Sequence, residues 1–268
     1  MRIGKIDFDF KNKTYVMGIL NVTPDSFSDG GKYNTLDSAL KHTERMVSEG
    51  AAIIDVGGES TKPGYIPVSC EEQIARVVPV IEGIRKNFDI PVSVDTADAQ
   101  VAKAALEAGC SLVNDIRSLR GDENMRSVVA NAGVPCVIMH NRANMDYTDF
   151  MSDVKTDLEK YCRDAVEAGI DREKIIIDPG VGFAKTYEQN LAIINRLEEF
   201  QSMGYPVLLG TSRKSVIGLT LDLPIYERVE GTIATTVMAV MKGAAIVRVH
   251  DVKENVRAIR MTEAILQK

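Results

Sequence analysis

Short apolar runs recur along the chain, and each is followed by a stretch in which apolar and polar residues have helical spacing. Within these runs, as in Ile175–Ile177, apolar residues seldom alternate with polar ones. Runs of this kind are typical of parallel strands that helices cover on both faces. The predicted strands are residues 16–20, 52–56, 92–94, 112–114, 134–139, 175–177, 207–209 and 245–249.

A helical window follows every predicted strand, so the chain consists of repeated strand–helix units. The windows are residues 35–49, 70–87, 97–108, 122–132, 153–168, 187–202, 226–242 and 251–266. Eight such units in a chain of about 250 residues match the size of a (β/α)₈ barrel. The pattern therefore predicts an α/β fold, a TIM barrel with a short N-terminal β-hairpin over residues 2–14. An open doubly wound sheet is the alternative.

Composition narrows the class of protein further. The 268 residues contain no Gly/Ser linker or low-complexity tract, which predicts a single domain over 1–268. A net charge of −6, from 32 basic and 38 acidic residues, argues against a nucleic-acid partner. The apolar runs are too short to cross a membrane. The four scattered cysteines suggest neither a disulfide framework nor a zinc site, so we expect a cytoplasmic protein.

Polar residues are concentrated where the predicted strands end. In a barrel, these ends and the loops that follow them form the face that carries active sites. Asp95, Asn114, Asp178 and Arg248 lie inside or at the very end of apolar runs, where an unpaired charge is costly. We expect these four to bind a ligand, with an internal ion pair between Arg248 and an aspartate as the alternative. Helix capping accounts for Thr96, Asp251 and Asp55.

The chemistry of these positions indicates the kind of ligand. Asp95, Asn114 and Asp178 offer hydrogen-bond acceptors, whereas Lys214 and Arg248 offer donors. This mixture suits a flat, nitrogen-rich heterocycle better than a sugar or a metal cluster. Nucleophilic catalysis has weak support, because no cysteine lies beside a strand-end histidine and no G-x-S-x-G motif is present.

Several longer motifs resemble those of the dihydropteroate synthase family, in the same order and across almost the whole chain. They are MGILNVTPDSFSDGG (17–31), DVGGESTKPG (55–64), SVDT (93–96), VNDI (113–116), DPGVGF (178–183), TSRKS (211–215) and VRVHDV (247–252). The family also has a (β/α)₈ barrel. One position differs: the family motif S-T-R-P-G has lysine here, at Lys62.

The resemblance implies a reaction in which 6-hydroxymethyl-7,8-dihydropterin diphosphate and p-aminobenzoate give 7,8-dihydropteroate and diphosphate. It implies Mg²⁺ on Asn21 and a homodimer. The pterin is then expected on Asp95, Asn114, Met139, Asp178, Phe183 and Lys214. The diphosphate is expected on Asn21, Thr61, Lys62, Arg248 and His250, and the aminobenzoate beside Phe27, Pro63 and Ser212. The catalytic residues implied are Asp95, Lys214, Arg248 and His250.

Two other functions fit a pterin-binding barrel. One is a pterin-dependent methyltransferase that passes a methyl group from a reduced folate to a corrinoid protein. Its first two loops differ, and it has no need of TSRKS beside an aminobenzoate pocket. The other is a non-catalytic pterin-binding paralogue, for which Lys62 is the only support in the sequence.

Overall fold

The computed structural model describes residues 1–23, 31–59 and 68–267. The first two βα loops fall largely in the two gaps. Four residues expected to bind substrate, Phe27, Thr61, Lys62 and Pro63, therefore lie outside the described residues.

Eight parallel strands form the central sheet, and a two-stranded antiparallel hairpin precedes them. The hairpin consists of β1 (Arg2–Ile3) and β2 (Ile6–Asp7). The parallel strands are β3 (Tyr15–Asn21), β4 (Ile53–Gly57), β5 (Val92–Asp95), β6 (Leu112–Asp115), β7 (Cys136–Met139), β8 (Ile175–Asp178), β9 (Leu208–Leu209) and β10 (Ile246–Val249). They pair in the order β8-β7-β6-β5-β4-β3-β10-β9. A parallel bridge between Ile177 and Val207 closes the ring, which confirms the predicted barrel.

Helices connect the strands on the outside of the barrel. They are α1 (Gly31–Glu49), α2 (Cys70–Asn87), α3 (Ala99–Glu107), α4 (Met125–Ala132), α5 (Phe150–Glu167), α6 (Tyr187–Asn195), α7 (Ser215–Leu221), α8 (Val229–Met241) and α9 (Val252–Leu266). Of these, α2, α3, α5 and α6 begin on a side-chain cap, such as Ser69 before α2 and Asp98 before α3, whose oxygens accept backbone N–H groups of the first turn. No helix in the described ranges is long and apolar enough to span a bilayer.

The barrel interior changes character from one end to the other. At the end nearest the strand N-termini, inward side chains such as Met17, Ile53 and Leu112 form an apolar cluster, which Ile3 and Phe8 of the N-terminal segment cover. Two residues further along β4, β6, β8 and β10, the inward position becomes polar, as in Asp55 after Ile53 and Asn114 after Leu112. The barrel is therefore sealed at its base and polar at its mouth.

Three details differ from the sequence prediction. The hairpin strands end at Asp7, because the chain turns back and pairs over only two positions. The window 187–202 is an α-helix only to Asn195, and a 3₁₀ helix follows over Leu197–Met203. Helix α7 was not predicted. Its seven residues, SVIGLTL, are too few and too uniformly apolar to show helical periodicity.

Candidate active site

An ion-paired cluster of polar side chains lies inside the barrel mouth. Arg248 on β10 donates from Nε to Asp55 Oδ2 and from Nη2 to Asp95 Oδ2, both over 2.6 Å. Asn114 Nδ2 on β6 donates to the same Asp55 oxygen over 3.0 Å. Strands β4, β5, β6 and β10 thus contribute one inward side chain each. The internal ion pair considered as the alternative for Arg248 is present, and of its two partners only Asp95 belongs to the expected ligand set.

Asp55 is not a helix cap, contrary to the sequence interpretation. Its side chain is completely buried and points inward, because it follows the inward Ile53 by two positions on β4. Asp251 also differs: it occupies the N-cap position of α9, but its carboxylate makes no capping bond and binds Arg213 instead. Thr96 is not the helix cap either: Asp98 occupies the N-cap position of α3, and Thr96 Oγ1 accepts a hydrogen bond from the Asp98 backbone N–H.

Burial changes the ionisation of Asp95. Removal from water raises the pKa of Asp95 to about 7, although the positive charge of Arg248 opposes the rise. The nearby negative charge of Asp55 adds to it. A carboxyl group with a pKa near neutrality, inside a cleft, is typical of a functional site.

Asp178 and Lys214 border a second part of the mouth. A Cβ atom placed on Gly210 would lie 3.8 Å from Asp178 Oδ2 and 4.0 Å from Lys214 Nζ, so both polar atoms face the space above this glycine. Burial raises the pKa of Asp178, with Lys214 opposing, and burial lowers the pKa of Lys214 to about 8, with Asp178 opposing. An acceptor and a donor are thus held side by side.

The β8–α6 loop, residues 179–186, encloses this part of the mouth. The backbone N–H of Gly180 donates to Asp178 Oδ1 over 2.7 Å, which fixes the carboxylate. Lys214 Nζ donates to the carbonyl oxygen of Val181 and lies 4.8 Å from the centre of the Phe183 ring. The expected pterin residues Asp178, Phe183 and Lys214 are therefore brought together.

Lys185 and His140 form a buried pair behind this loop. Lys185 Nζ lies 2.9 Å from His140 Nδ1, and it donates to the carbonyl oxygens of Gly180 and Phe183. Burial lowers the pKa of Lys185 to about 7 and that of His140 to about 3. The sequence analysis did not select Lys185. The only signal for it was a lysine close behind DPGVGF, within a segment that is otherwise uncharged after Asp178.

Ser212 and His250 lie together on the β9 and β10 side of the mouth. Ser212 Oγ is 2.9 Å from His250 Nδ1 and accepts from the His250 backbone N–H over 3.1 Å. Between Ser212 and Lys214, Arg213 has a left-handed φ of 58°, and its guanidinium binds both carboxylate oxygens of Asp251. Ser212, which is expected beside the aminobenzoate, is thus hydrogen-bonded to His250, which is expected at the diphosphate.

The remaining expected residues also end strands around the mouth. Asn21 is the last residue of β3, and a Cβ atom on Gly57 would lie 3.6 Å from its Oδ1 and 3.9 Å from Asp95 Oδ2. Met139 is the last residue of β7 and is 3% exposed. Every site residue proposed from the sequence that the structure describes is therefore at the mouth, on a strand end or the loop after it.

Fold and mouth together define a class: a (β/α)₈ barrel whose polar end presents acids, amides and cations to a flat polar ligand. The family model described as "Pterin binding enzyme" matches residues 17–250. A dihydropteroate synthase from Clostridium beijerinckii is 56% identical over 269 residues, with 100% of both chains covered.

Two solved structures are similar over nearly the full length. The dihydropteroate synthase of Clostridium difficile, crystallised in the presence of pteroic acid, has a TM-score of 0.95 and 51% identity, covering 98% of this chain and 100% of that one. The Yersinia pestis dihydropteroate synthase, in complex with a sulfonamide drug, has a TM-score of 0.94 and 43% identity, covering 100% and 99%. This chain belongs to the dihydropteroate synthase family, whose members are transferases.

Proposed function

We propose that the chain condenses 6-hydroxymethyl-7,8-dihydropterin diphosphate with p-aminobenzoate, giving 7,8-dihydropteroate and diphosphate. One observation carries the proposal: acceptors and donors for a pterin lie beside a cationic group that can receive diphosphate, within one barrel mouth. Asp178 Oδ2 and Lys214 Nζ supply the first part, above Gly210. Arg248 supplies the second, beside Asp95.

The pterin is recognised through complementary hydrogen bonds. Asp178 accepts from the ring amide and amino groups through the oxygen that Gly180 does not occupy. Lys214 donates to the carbonyl edge, and Asn114 supplies a further polar contact. Met139 and Phe183 line the slot. These protein groups are buried and already positioned. A ring that lacks the amide and amino donors, or the carbonyl acceptor, would leave them unpaired, so the site is specific for a pterin.

The diphosphate is bound by Arg248, His250 and Asn21, with Thr61 and Lys62 from the second loop. The bonds of Arg248 to Asp55 and Asp95 engage two of its five N–H groups, so others remain for phosphate oxygens. The two carboxylates also hold the guanidinium plane in place. The site is thus organised before substrate arrives, which lowers the entropy lost in binding.

The chemistry is a displacement at the pterin methylene carbon. The aminobenzoate nitrogen forms the new C–N bond, the C–O bond breaks with its electron pair leaving on diphosphate, and the nitrogen releases one proton. Arg248 and His250 stabilise the negative charge that grows on the leaving group. Asp95 offsets the positive charge on the methylene. The arylamine is a competent nucleophile at neutral pH, so positioning between Phe27, Pro63 and Ser212 matters more than a strong base.

The proposal includes Mg²⁺ at Asn21. Asn21 Oδ1 and Asp95 Oδ2 would lie 3.6 and 3.9 Å from a Cβ atom placed on Gly57, and both are hard oxygen ligands of the kind that Mg²⁺ prefers. In the described part of the chain no three His, Cys, Asp or Glu side chains are arranged to enclose a metal. Asn21 would therefore share the ion with substrate oxygens, a sparse protein shell that Mg²⁺ tolerates. A bound Mg²⁺ supplies positive charge toward the diphosphate.

We also propose a homodimer in the cytoplasm. Four exposed apolar side chains support the dimer: Leu191 on α6, Leu219 and Leu221 on α7, and Tyr226 in the turn before α8. These elements pack together, and Tyr187 of α6 hydrogen-bonds Thr220 of α7. Such a patch is typical of a protein interface. The cytoplasm is supported by the four free cysteines, of which Cys110, Cys136 and Cys162 are buried.

Turnover tests the function directly. Purified protein is incubated with Mg²⁺, the pterin diphosphate and p-aminobenzoate, and 7,8-dihydropteroate is the expected product. A pterin-binding protein without catalysis would retain pterin and form no product. A corrinoid methyltransferase would instead transfer a methyl group from a reduced folate. The family relationship and the TSRKS segment at the mouth favour the synthase over both.

A further inference from the structure

We propose that Lys185 is a positioning residue: it holds the β8–α6 loop in the shape that binds pterin, without itself touching the substrate. The inference deepens the proposed function and rests on it, since it concerns the pterin pocket of the same site. It assigns a role to a buried cation that the mechanism above does not use.

The ammonium group of Lys185 is fully engaged inside the protein. Its Nζ lies 2.9 Å from the carbonyl oxygen of Gly180, 3.0 Å from that of Phe183 and 2.9 Å from His140 Nδ1. An ammonium group has three N–H donors, and here three acceptors surround it. The side chain is 8% exposed. A ligand in the mouth therefore has no free N–H of Lys185 to contact.

The loop that these bonds hold has one unfavourable backbone conformation, at Ala184. Gly180, Gly182 and Ala184 have left-handed φ values of 71°, 86° and 46°, which glycine adopts readily but alanine rarely does. At Gly180, a Cβ atom would lie 2.0 Å from the His140 carbonyl oxygen, so the loop also packs directly against the end of β7. A conformation of this kind persists only where surrounding contacts impose it. The two carbonyl bonds to Lys185 do so from within the loop.

A second line of contacts fixes Lys185 in turn. In its ammonium form Lys185 can only donate, so His140 Nδ1 then accepts and the imidazole proton is on Nε2. His140 Nε2 then donates to Asp157 Oδ2 over 3.1 Å, and Arg142 Nε donates to the same oxygen over 2.5 Å. Helix α5, which carries Asp157, is thereby connected to the loop through two buried side chains.

Three pterin residues depend on this loop. Gly180 orients the Asp178 carboxylate through its backbone N–H, Val181 accepts from Lys214, and Phe183 contributes its ring. Within the loop, Lys185 donates to the carbonyl oxygens of Gly180 and Phe183. Loss of the ammonium group would release both carbonyls and let the acceptor, donor and ring shift together.

The test replaces Lys185 with methionine, which keeps most of the length of the side chain and removes the donors. We expect the Kd of the pterin diphosphate to rise about tenfold or more, judging from the cost of small displacements at preorganised sites. The KM of p-aminobenzoate should change little by comparison. Hydrogen exchange of the backbone amides at 180–184 should accelerate, whereas that at 211–216 should not.

Lys174→Met is the matched control, because Lys174 also donates to a loop carbonyl, that of Gly133, but at the opposite end of β8. It should leave pterin affinity unchanged. Lys185→Gln, which keeps two N–H donors, should fall between the wild type and Lys185→Met in pterin affinity.

Two results would overturn the inference: a folded Lys185→Met protein that binds pterin as the wild type does, or failure of both Lys185 variants to fold, which would make Lys185 a general stabilising residue. The proposed function fails separately, if the wild type itself neither binds pterin diphosphate nor turns it over.

Discussion

At the residue scale, the two oxygens of Asp178 have different tasks. Oδ1 accepts from Gly180, and Oδ2 faces the space above Gly210. Asp178→Asn keeps an oxygen for the first task but can present an NH₂ group to the donors of the pterin. We expect the fold to persist and pterin binding to weaken by about 1–3 kcal/mol, or more if both ring donors lose their acceptor.

Calorimetric titration with the pterin measures this loss. Asp171→Asn is a suitable control, because Asp171 also accepts a backbone N–H, that of Glu173, just before the start of β8. Unchanged pterin affinity in Asp178→Asn would contradict the assignment of Asp178.

His140 gives a prediction about pH and stability. Burial and the neighbouring Lys185 lower the pKa of His140 to about 3, whereas an unfolded histidine has a pKa near 6.5. Below pH 6.5 the unfolded chain therefore binds a proton that the folded protein does not, so this histidine reduces stability as the pH falls. The effect approaches about 1.4 kcal/mol per pH unit for one proton.

Urea unfolding of the wild type and His140→Gln at pH 8, 7, 6 and 5 isolates this effect. The difference in unfolding free energy between the two proteins should be constant from pH 8 to 7 and should shift against the wild type below 6.5. Parallel stability curves down to pH 5 would show that His140 is protonated in the folded protein.

At the element scale, the segment between β9 and α7 shows how a strained turn presents functional groups. Arg213 has a left-handed backbone, and its bidentate pair with Asp251 connects this turn to the start of α9. Ser212 and Lys214 flank it. The pair is partly shielded from solvent, with exposed side-chain fractions of 28% and 19%.

We expect Arg213→Ala to lower the unfolding free energy by about 1.5–3 kcal/mol, the usual range for hydrogen bonds to charged groups. It should also reduce kcat/KM, because Ser212 and Lys214 lose their fixed placement. Arg196→Ala, which removes a more exposed pair with Glu199, should cost less than about 1 kcal/mol. Equal destabilisation by the two variants would mean that the Arg213 pair is an ordinary surface contact.

The elements also show what the sequence could reveal. The strands were predictable because buried parallel strands must be apolar on both faces, and the four site residues interrupting those runs stood out against them. Helix α7 and the 3₁₀ helix after α6 were not predictable, because such short elements contain too few residues to show a helical spacing of apolar positions. Lys185 was missed for another reason. Two of its three partners are backbone carbonyls, which leave no residue type in the sequence to search for.

At the scale of the whole molecule, the exposed apolar patch formed by Leu191, Leu219, Leu221 and Tyr226 predicts self-association. Leu219 is 69% exposed and Tyr226 is 83% exposed. Both side chains are largely outside the protein core, so their substitution need not disturb folding. A charge on each would have to be desolvated at an interface without a partner, which is costly.

We therefore expect the double variant Leu219→Glu/Tyr226→Glu to sediment as a monomer where the wild type sediments as a dimer. The control is Met145→Glu, which places a charge in the loop between β7 and α5, at a side chain that is 54% exposed and outside the patch. Met145→Glu should remain dimeric, because a single exposed apolar residue is ordinary at a protein surface. A double variant that remains dimeric would place the interface elsewhere, whereas a monomeric wild type would remove the dimer from the proposed function.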